Sequence, residues 1–161
     1  MTSSEPSVPR SGRIGKADEE SMPAVQTALG TEHAAIWTYR LCTAFLPDSA
    51  DELDAGQNAH RAQRDVAERL VRGAGGTPVA SEPAYSGGKQ IDDQGSALAL
   101  LVTAEDDTST AWRGVLERTD DANLRRTALD ALTSSAVRAT RWRSQSGEVP
   151  ASRPLPGAPQ D

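Results

Sequence analysis

Apolar residues recur along this chain at steps of three, four and seven, the spacing that stacks side chains on one face of an α-helix. One row holds Val25, Leu29, Ile36, Tyr39 and Leu46, and a second holds Leu53, Ala67 and Val71. A third holds Leu98, Leu101, Val102, Trp112 and Leu116, and a fourth Leu124, Ala128, Leu132, Ala139 and Trp142. No credible strand interrupts them. Ser21 and Pro23 open a helix predicted over 22–46, which Pro47 stops. Ser49 and Glu52 have capping-box spacing ahead of a helix over 50–72, and Gly73, Gly75 and Gly76 end it. Asp92 or Asp93 caps a third helix over 93–118. The fourth covers 121–146 and stops at Gly147.

Connection lengths order these helices. About three residues join the first to the second and the third to the fourth, so each pair is an antiparallel hairpin. The link over 74–92 is much longer. Its nineteen residues reach about 60 Å when extended, whereas the predicted second helix is only about 35 Å long. The link can therefore run the full height of a bundle, joining the two hairpins by a long crossover. Residues 1–20, with Pro6, Pro9, Gly12 and Gly15, read as a flexible tail. Residues 148–161 form a Pro-rich tail that no helix can enter, with Val149 and Leu155 offering apolar contacts to the bundle. The folded unit thus spans 21–147.

Composition narrows the classes. Leu, Ile, Val and Phe make up 26 of the 161 residues, and alanine supplies the rest of the apolar content. That balance suits helices packed closely through small side chains. Seventeen basic against 23 acidic residues give a net charge of −6, which argues against a nucleic-acid or anionic-membrane partner. The longest strongly apolar stretch, 97–102, falls far short of the ~20 residues of a membrane span. No apolar secretory core opens the chain, so the expected location is the cytoplasm. The single cysteine, Cys42, excludes an internal disulfide or a multi-cysteine zinc site and reads as a small, partly buried residue. The glycines at 73–76 and Gly87-Gly88 are not phosphate loops, because no Gly-Lys-Ser/Thr follows. An Ala-rich interior with three tryptophans (Trp37, Trp112, Trp142) on few bulky neighbours points to a homodimer.

More informative are the polar residues that share the apolar rows. Glu32 lies on the row of Val25, Leu29, Ile36 and Tyr39, and Glu105 on that of Leu98, Leu101 and Trp112. His60 shares a face with Leu53, Ala67 and Val71, with Arg64 one turn further, and Arg138 lies on the inner side of the fourth helix. Carboxylates are almost never buried without a partner. These two glutamates and the histidine therefore need each other, a metal, or arginines.

This pattern resembles that of ferritin-like di-iron bundles, which place a lone Glu on helices one and three and Glu-x-x-His on helices two and four. Glu32 and Glu105 match the lone glutamates, and Gln57-Asn58-Ala59-His60 matches Glu-x-x-His with glutamine in first place. The equivalent segment of helix four, Asp130-Ala131-Leu132-Thr133, has no histidine, and Asp130 projects on the solvent side. The segments Glu32-His33-Ala34-Ala35-Ile36-Trp37, His60-Arg61-Ala62-Gln63-Arg64-Asp65, Glu82-Pro83-Ala84-Tyr85 and Ala136-Val137-Arg138-Ala139-Thr140-Arg141-Trp142-Arg143 carry a closer likeness. Together, over about 110 residues, they resemble a ferritin-like family of unknown function common in high-GC bacterial genomes. The resemblance implies an all-α, ferritin-like four-helix bundle and no established reaction. Two readings stay open. In the leading one the chain is a non-catalytic interaction or structural module with a degenerate di-iron site. Glu32, Gln57, His60, Arg64, Glu105 and Arg138 then satisfy one another as an interior network without a cofactor. In the other it is a metal-binding oxidoreductase or iron-binding protein, with Glu32, His60 and Glu105 holding iron or another divalent metal. His33, about 100° around the helix from Glu32, reads as a packing or surface residue.

Overall fold

The computed structural model describes residues 13–85 and 90–159. Four helices account for most of them: α1 (Met22–Cys42), α2 (Ala50–Gly73), α3 (Gln94–Glu117) and α4 (Ala122–Ser146), with no strand among the described residues. Helix α1 ends four residues earlier than its apolar row suggested. Leu46 precedes Pro47 and is pushed out of the helical region (φ −132°, ψ 58°), so Thr43–Phe45 and Pro47–Ser49 tighten into 3₁₀ turns.

The capping follows chemistry that the sequence signals only in part. Asp93 and Ser96 form a reciprocal capping box at the start of α3, and the Asp121 carboxylate accepts the Leu124 N–H at 2.8 Å at the start of α4. Ser21 and Ser49 cap nothing with their side chains. The Ser21 hydroxyl is drawn to the Asp18 carboxylate (2.7 Å), and that of Ser49 accepts from the amide of Gln145 at the far end of α4 (2.6 Å).

The crossover fixes the helix directions. In the first turns of α1, the Gln26 amide donates to the Thr77 carbonyl at 2.7 Å and accepts the Val79 N–H at 2.9 Å. Further along α1 the Trp37 ring packs on Tyr85, with centroids 6.1 Å apart. Beyond Tyr85, α3 begins at the C-terminal end of α1, where the Cys42 thiol donates to the Ala97 carbonyl at 3.6 Å. Its described residues thus follow α1 from the first turns up to Trp37. Helices α2 and α3 run opposite to α1, and α4 runs with it.

Two apolar clusters fill the interior, one at each end. The lower is built on Val25, Leu29, Leu70, Val71, Trp112, Val115 and Leu124, and the upper on Tyr39, Leu46, Leu53, Leu98, Leu101 and Trp142. Between them, at mid-height, lies a layer of polar side chains. Helix pairs α1–α2, α1–α3 and α3–α4 pack along their length. Helices α2 and α4 instead flank a groove of about 740 Å³.

Both terminal segments contact the bundle, in ways the sequence reading anticipates only in part. Residues 1–12 and Gly87-Gly88 lie outside the described residues. Residues 13–20, however, pack against α4: Ala17 is buried in the lower cluster, and Thr127 donates to the Ile14 carbonyl at 2.9 Å. Gly15 makes this possible, since it sits at φ +91° with the Leu124 backbone where a Cβ would be. At the other end Val149 and Leu155 stay exposed. Polar groups hold that segment instead, through buried Arg143, which pairs with Asp106 and faces Glu148.

Gly56 is the tightest point of the upper cluster, because a Cβ there would overlap the ring of Tyr39. Gly56→Ala should lower stability by about 1–3 kcal/mol in urea denaturation. Gly30→Ala, in α1 with nothing near the added methyl, should instead raise it by about 0.5–1 kcal/mol. Equal midpoints for the two variants would contradict this packing.

Candidate functional site

The polar layer takes one side chain or more from every helix. Helices α1 and α3 are antiparallel, and each carries a glutamate followed seven residues later by an aromatic donor. Heptad spacing keeps both on one face, and the opposed directions bring each aromatic to the other helix's carboxylate. Thus Trp112 Nε1 donates to Glu32 Oε1 at 2.7 Å, and the Tyr39 hydroxyl donates to Glu105 Oε1. Trp142 of α4 donates in turn to the Tyr39 oxygen at 2.9 Å.

His60 of α2 stands between the carboxylates, its Nδ1 2.7 Å from Glu32 Oε2 and its Nε2 3.0 Å from Glu105 Oε1. Arg138 of α4 closes the layer: its Nε donates to Glu105 Oε1 at 2.7 Å, and its terminal nitrogens donate to Ser134 and Ser135 at 2.6 and 3.1 Å. Glu32, His60 and Glu105 are fully buried.

Charge explains the arrangement. Burial by itself would push the His60 imidazole towards neutrality. Hydrogen bonds to Glu105 and Glu32 win, and its pKa rises to about 9 from the ordinary 6.5. Both ring nitrogens face carboxylate oxygens, so both carry protons and the ring is an imidazolium. Burial opposes ionisation of Glu105 as well, yet the hydrogen bond and charge of His60, with Arg138 behind them, hold its pKa below the usual carboxylate value. Burial also works against the charge of Arg138, and Glu105 more than offsets it. Two carboxylates, one imidazolium and one guanidinium sum to zero. One atom is left over: Glu105 Oε2 is buried with no hydrogen-bond partner.

The structure brings Glu32, His60, Glu105 and Arg138 together and leaves two of the sequence candidates outside. Arg64 turns outward to Asp65 (2.7 Å) and lines the hollow under the crossover with His33, Trp37 and Tyr85. The Gln57 amide donates to the Ile36 carbonyl at 3.4 Å. Both residues sit at the rim of the α2 stripe, Arg64 turned to the crossover and Gln57 to α1, while Leu53, His60 and Ala67 hold its centre. Conversely Tyr39, Trp112 and Trp142 read from sequence as core aromatics, and they supply hydrogen-bond donors to the layer. The signal for Tyr39 and Trp112 was the interval of seven from each glutamate; Trp142 had none. Among the described residues, no group of three or more His, Cys, Asp and Glu side chains is placed to hold a metal ion.

Comparison with known families matches residues 24–160 to the model of a domain of unknown function (DUF4439). Among solved structures the chain is similar to the crystal structure of a conserved hypothetical protein, rv2844, from Mycobacterium tuberculosis. The two share 32% identity at a TM-score of 0.76, over 80% of this chain and 99% of that one. No curated protein matches the chain.

Removing one member of a buried ion cluster strands its partner. Glu105→Ala should therefore cost about 3–5 kcal/mol, against a change within about 0.5 kcal/mol for exposed Asp130→Ala. Glu105→Leu combined with Arg138→Leu should recover part of that loss, because Glu32 and His60 remain balanced. Indistinguishable denaturation midpoints for Glu105→Ala and Asp130→Ala would contradict the cluster.

The pH dependence has a definite sign. A histidine whose pKa is higher when folded contributes stability that is full below the unfolded value of 6.5 and is lost as pH rises through about 9. Glu105, depressed from 4.5, contributes above that value and loses its contribution as pH falls through its folded pKa. Stability should thus peak between these limits and decline towards pH 9. In His60→Gln the alkaline decline should disappear, as followed by urea midpoints across the pH range.

Proposed function

The chain belongs to the family of the domain of unknown function DUF4439, and from that premise we propose that it is a ferritin-like bundle acting as a non-catalytic interaction module, its centre closed by its own cations. The observation that carries this reading is the electroneutral cluster of Glu32, His60, Glu105 and Arg138. Ferritin-like bundles use such mid-helix carboxylates to hold metal, and the donor set here does not fit that role. The His60 ring spends both nitrogens as donors and has no lone pair to offer. Both oxygens of Glu32 accept hydrogen bonds. Arg138 supplies at Glu105 the positive charge that a metal would bring. We further propose that the module works as a homodimer.

A second reading, a metal-binding oxidoreductase using Glu32, His60 and Glu105, draws on the one unpaired oxygen, Glu105 Oε2. It requires His60 to lose a proton, which its raised pKa resists. Metal analysis decides between the two, on protein purified without chelator or affinity tag. Less than one tightly held iron per chain is expected, with no oxygen-dependent visible band after anaerobic addition of ferrous iron. Two bound irons per chain, with such a band, would overturn the non-catalytic reading.

A further inference from the structure

The bundle leaves one wall open. Along the groove between α2 and α4, the α2 rim carries Asp51 and Glu52, the α4 rim carries Arg141, and Ala55, Gly56 and Trp142 line the space between. Asp51, Glu52 and Arg141 make no ion pair among the described residues, although they line one groove. Val137 lines the same groove and is 45% exposed, an apolar side chain on the rim of a cavity it does not fill. Opposite charge on the two rims and an apolar residue between them describe a surface complementary to itself.

We propose that this groove is the interface between two copies of the chain, each α4 seated in the groove of the other. The proposal rests on the homodimer reading and adds where the copies meet. The geometry follows from heights along the bundle. The bond from Gln145 to Ser49 sets the C-terminal end of α4 level with the start of α2. A two-fold axis parallel to the helices changes no residue's height, so it brings Arg141 beside the partner's Asp51 and Glu52, and does so twice. Val137, one turn below Arg141, then lies level with the partner's Ala55 and Gly56, which line the groove. Such an interface holds partly by charge, so it weakens as salt shortens the screening length from roughly 10 Å at 0.1 M to roughly 3 Å at 1 M.

The test is solution mass by light scattering and sedimentation equilibrium on the full chain at micromolar concentration. The parent is expected at twice 17.0 kDa, dissociating at least tenfold more readily in 1 M than in 0.1 M NaCl. Arg141→Glu and Val137→Asp should each run at 17.0 kDa with unchanged helical circular dichroism. Asp51→Arg and Glu52→Arg combined with Arg141→Glu reverse the charge of both rims and should restore the doubled mass. Leu129→Asp, at an exposed α4 position away from the groove, should leave the dimer intact. A parent that stays at 17.0 kDa overturns the homodimer reading and this surface with it. A dimeric parent whose Arg141→Glu and Val137→Asp variants remain dimeric overturns the surface alone. A charge exchange that fails to restore the dimer removes the pairing of the rims.

Discussion

Four ionised groups meet out of water at mid-height in the bundle: Glu32, His60, Glu105 and Arg138, one from each helix. An isolated ion moved into a protein interior costs several kcal/mol even after relaxation, and mutual attraction offsets that only in good geometry. A helix that slipped by one turn along its neighbours would leave at least one of these charges without its partner. Apolar packing alone tolerates such slips far better, because one leucine resembles another. The cluster therefore sets the register of all four helices, and the apolar clusters above and below supply the stabilisation that register allows.

The crossed donors extend the same constraint. Glu32 and Tyr39 on α1 face Trp112 and Glu105 on α3, and each aromatic donates to the carboxylate opposite. Antiparallel helices and equal heptad intervals are both needed for that exchange; parallel helices would set carboxylate against carboxylate. The rings also belong to the apolar clusters, so Tyr39 and Trp112 join the polar layer to the packing on either side. Gly56 belongs to this design as well, since the Tyr39 ring occupies the space a side chain there would take.

The helices, their order and the long crossover were legible because apolar periodicity and terminal Pro, Gly and Asp act locally. Glu32, His60, Glu105 and Arg138 were legible for a related reason: a charge on an apolar stripe has few ways to be satisfied. Arg64 misled because a stripe has a centre and a rim, and one turn beyond His60 a long side chain can reach either side. It found Asp65 next to it. The aromatic donors were hidden because tryptophan and tyrosine on a stripe read equally as packing and as polar groups. Residues 13–20 and the C-terminal segment were hidden because their anchors are long-range. Gly15 fits against Leu124 and Gly157 against the Ser109 backbone, and neither contact leaves a local pattern.

The same cluster accounts for the open wall. Helix α4 is held by its packing on α3 and by the Arg138 side chain, which crosses the interior to Glu105. Helix α2 is held by its packing on α1 and by His60. Both reach the centre without needing each other, so close packing between α2 and α4 adds nothing to register. The rim residues Asp51, Glu52, Val137 and Arg141 lie outside the cluster, so they can change without unbalancing a buried charge. The buried charges thus set which structure forms, and these four rim residues take no part in that register.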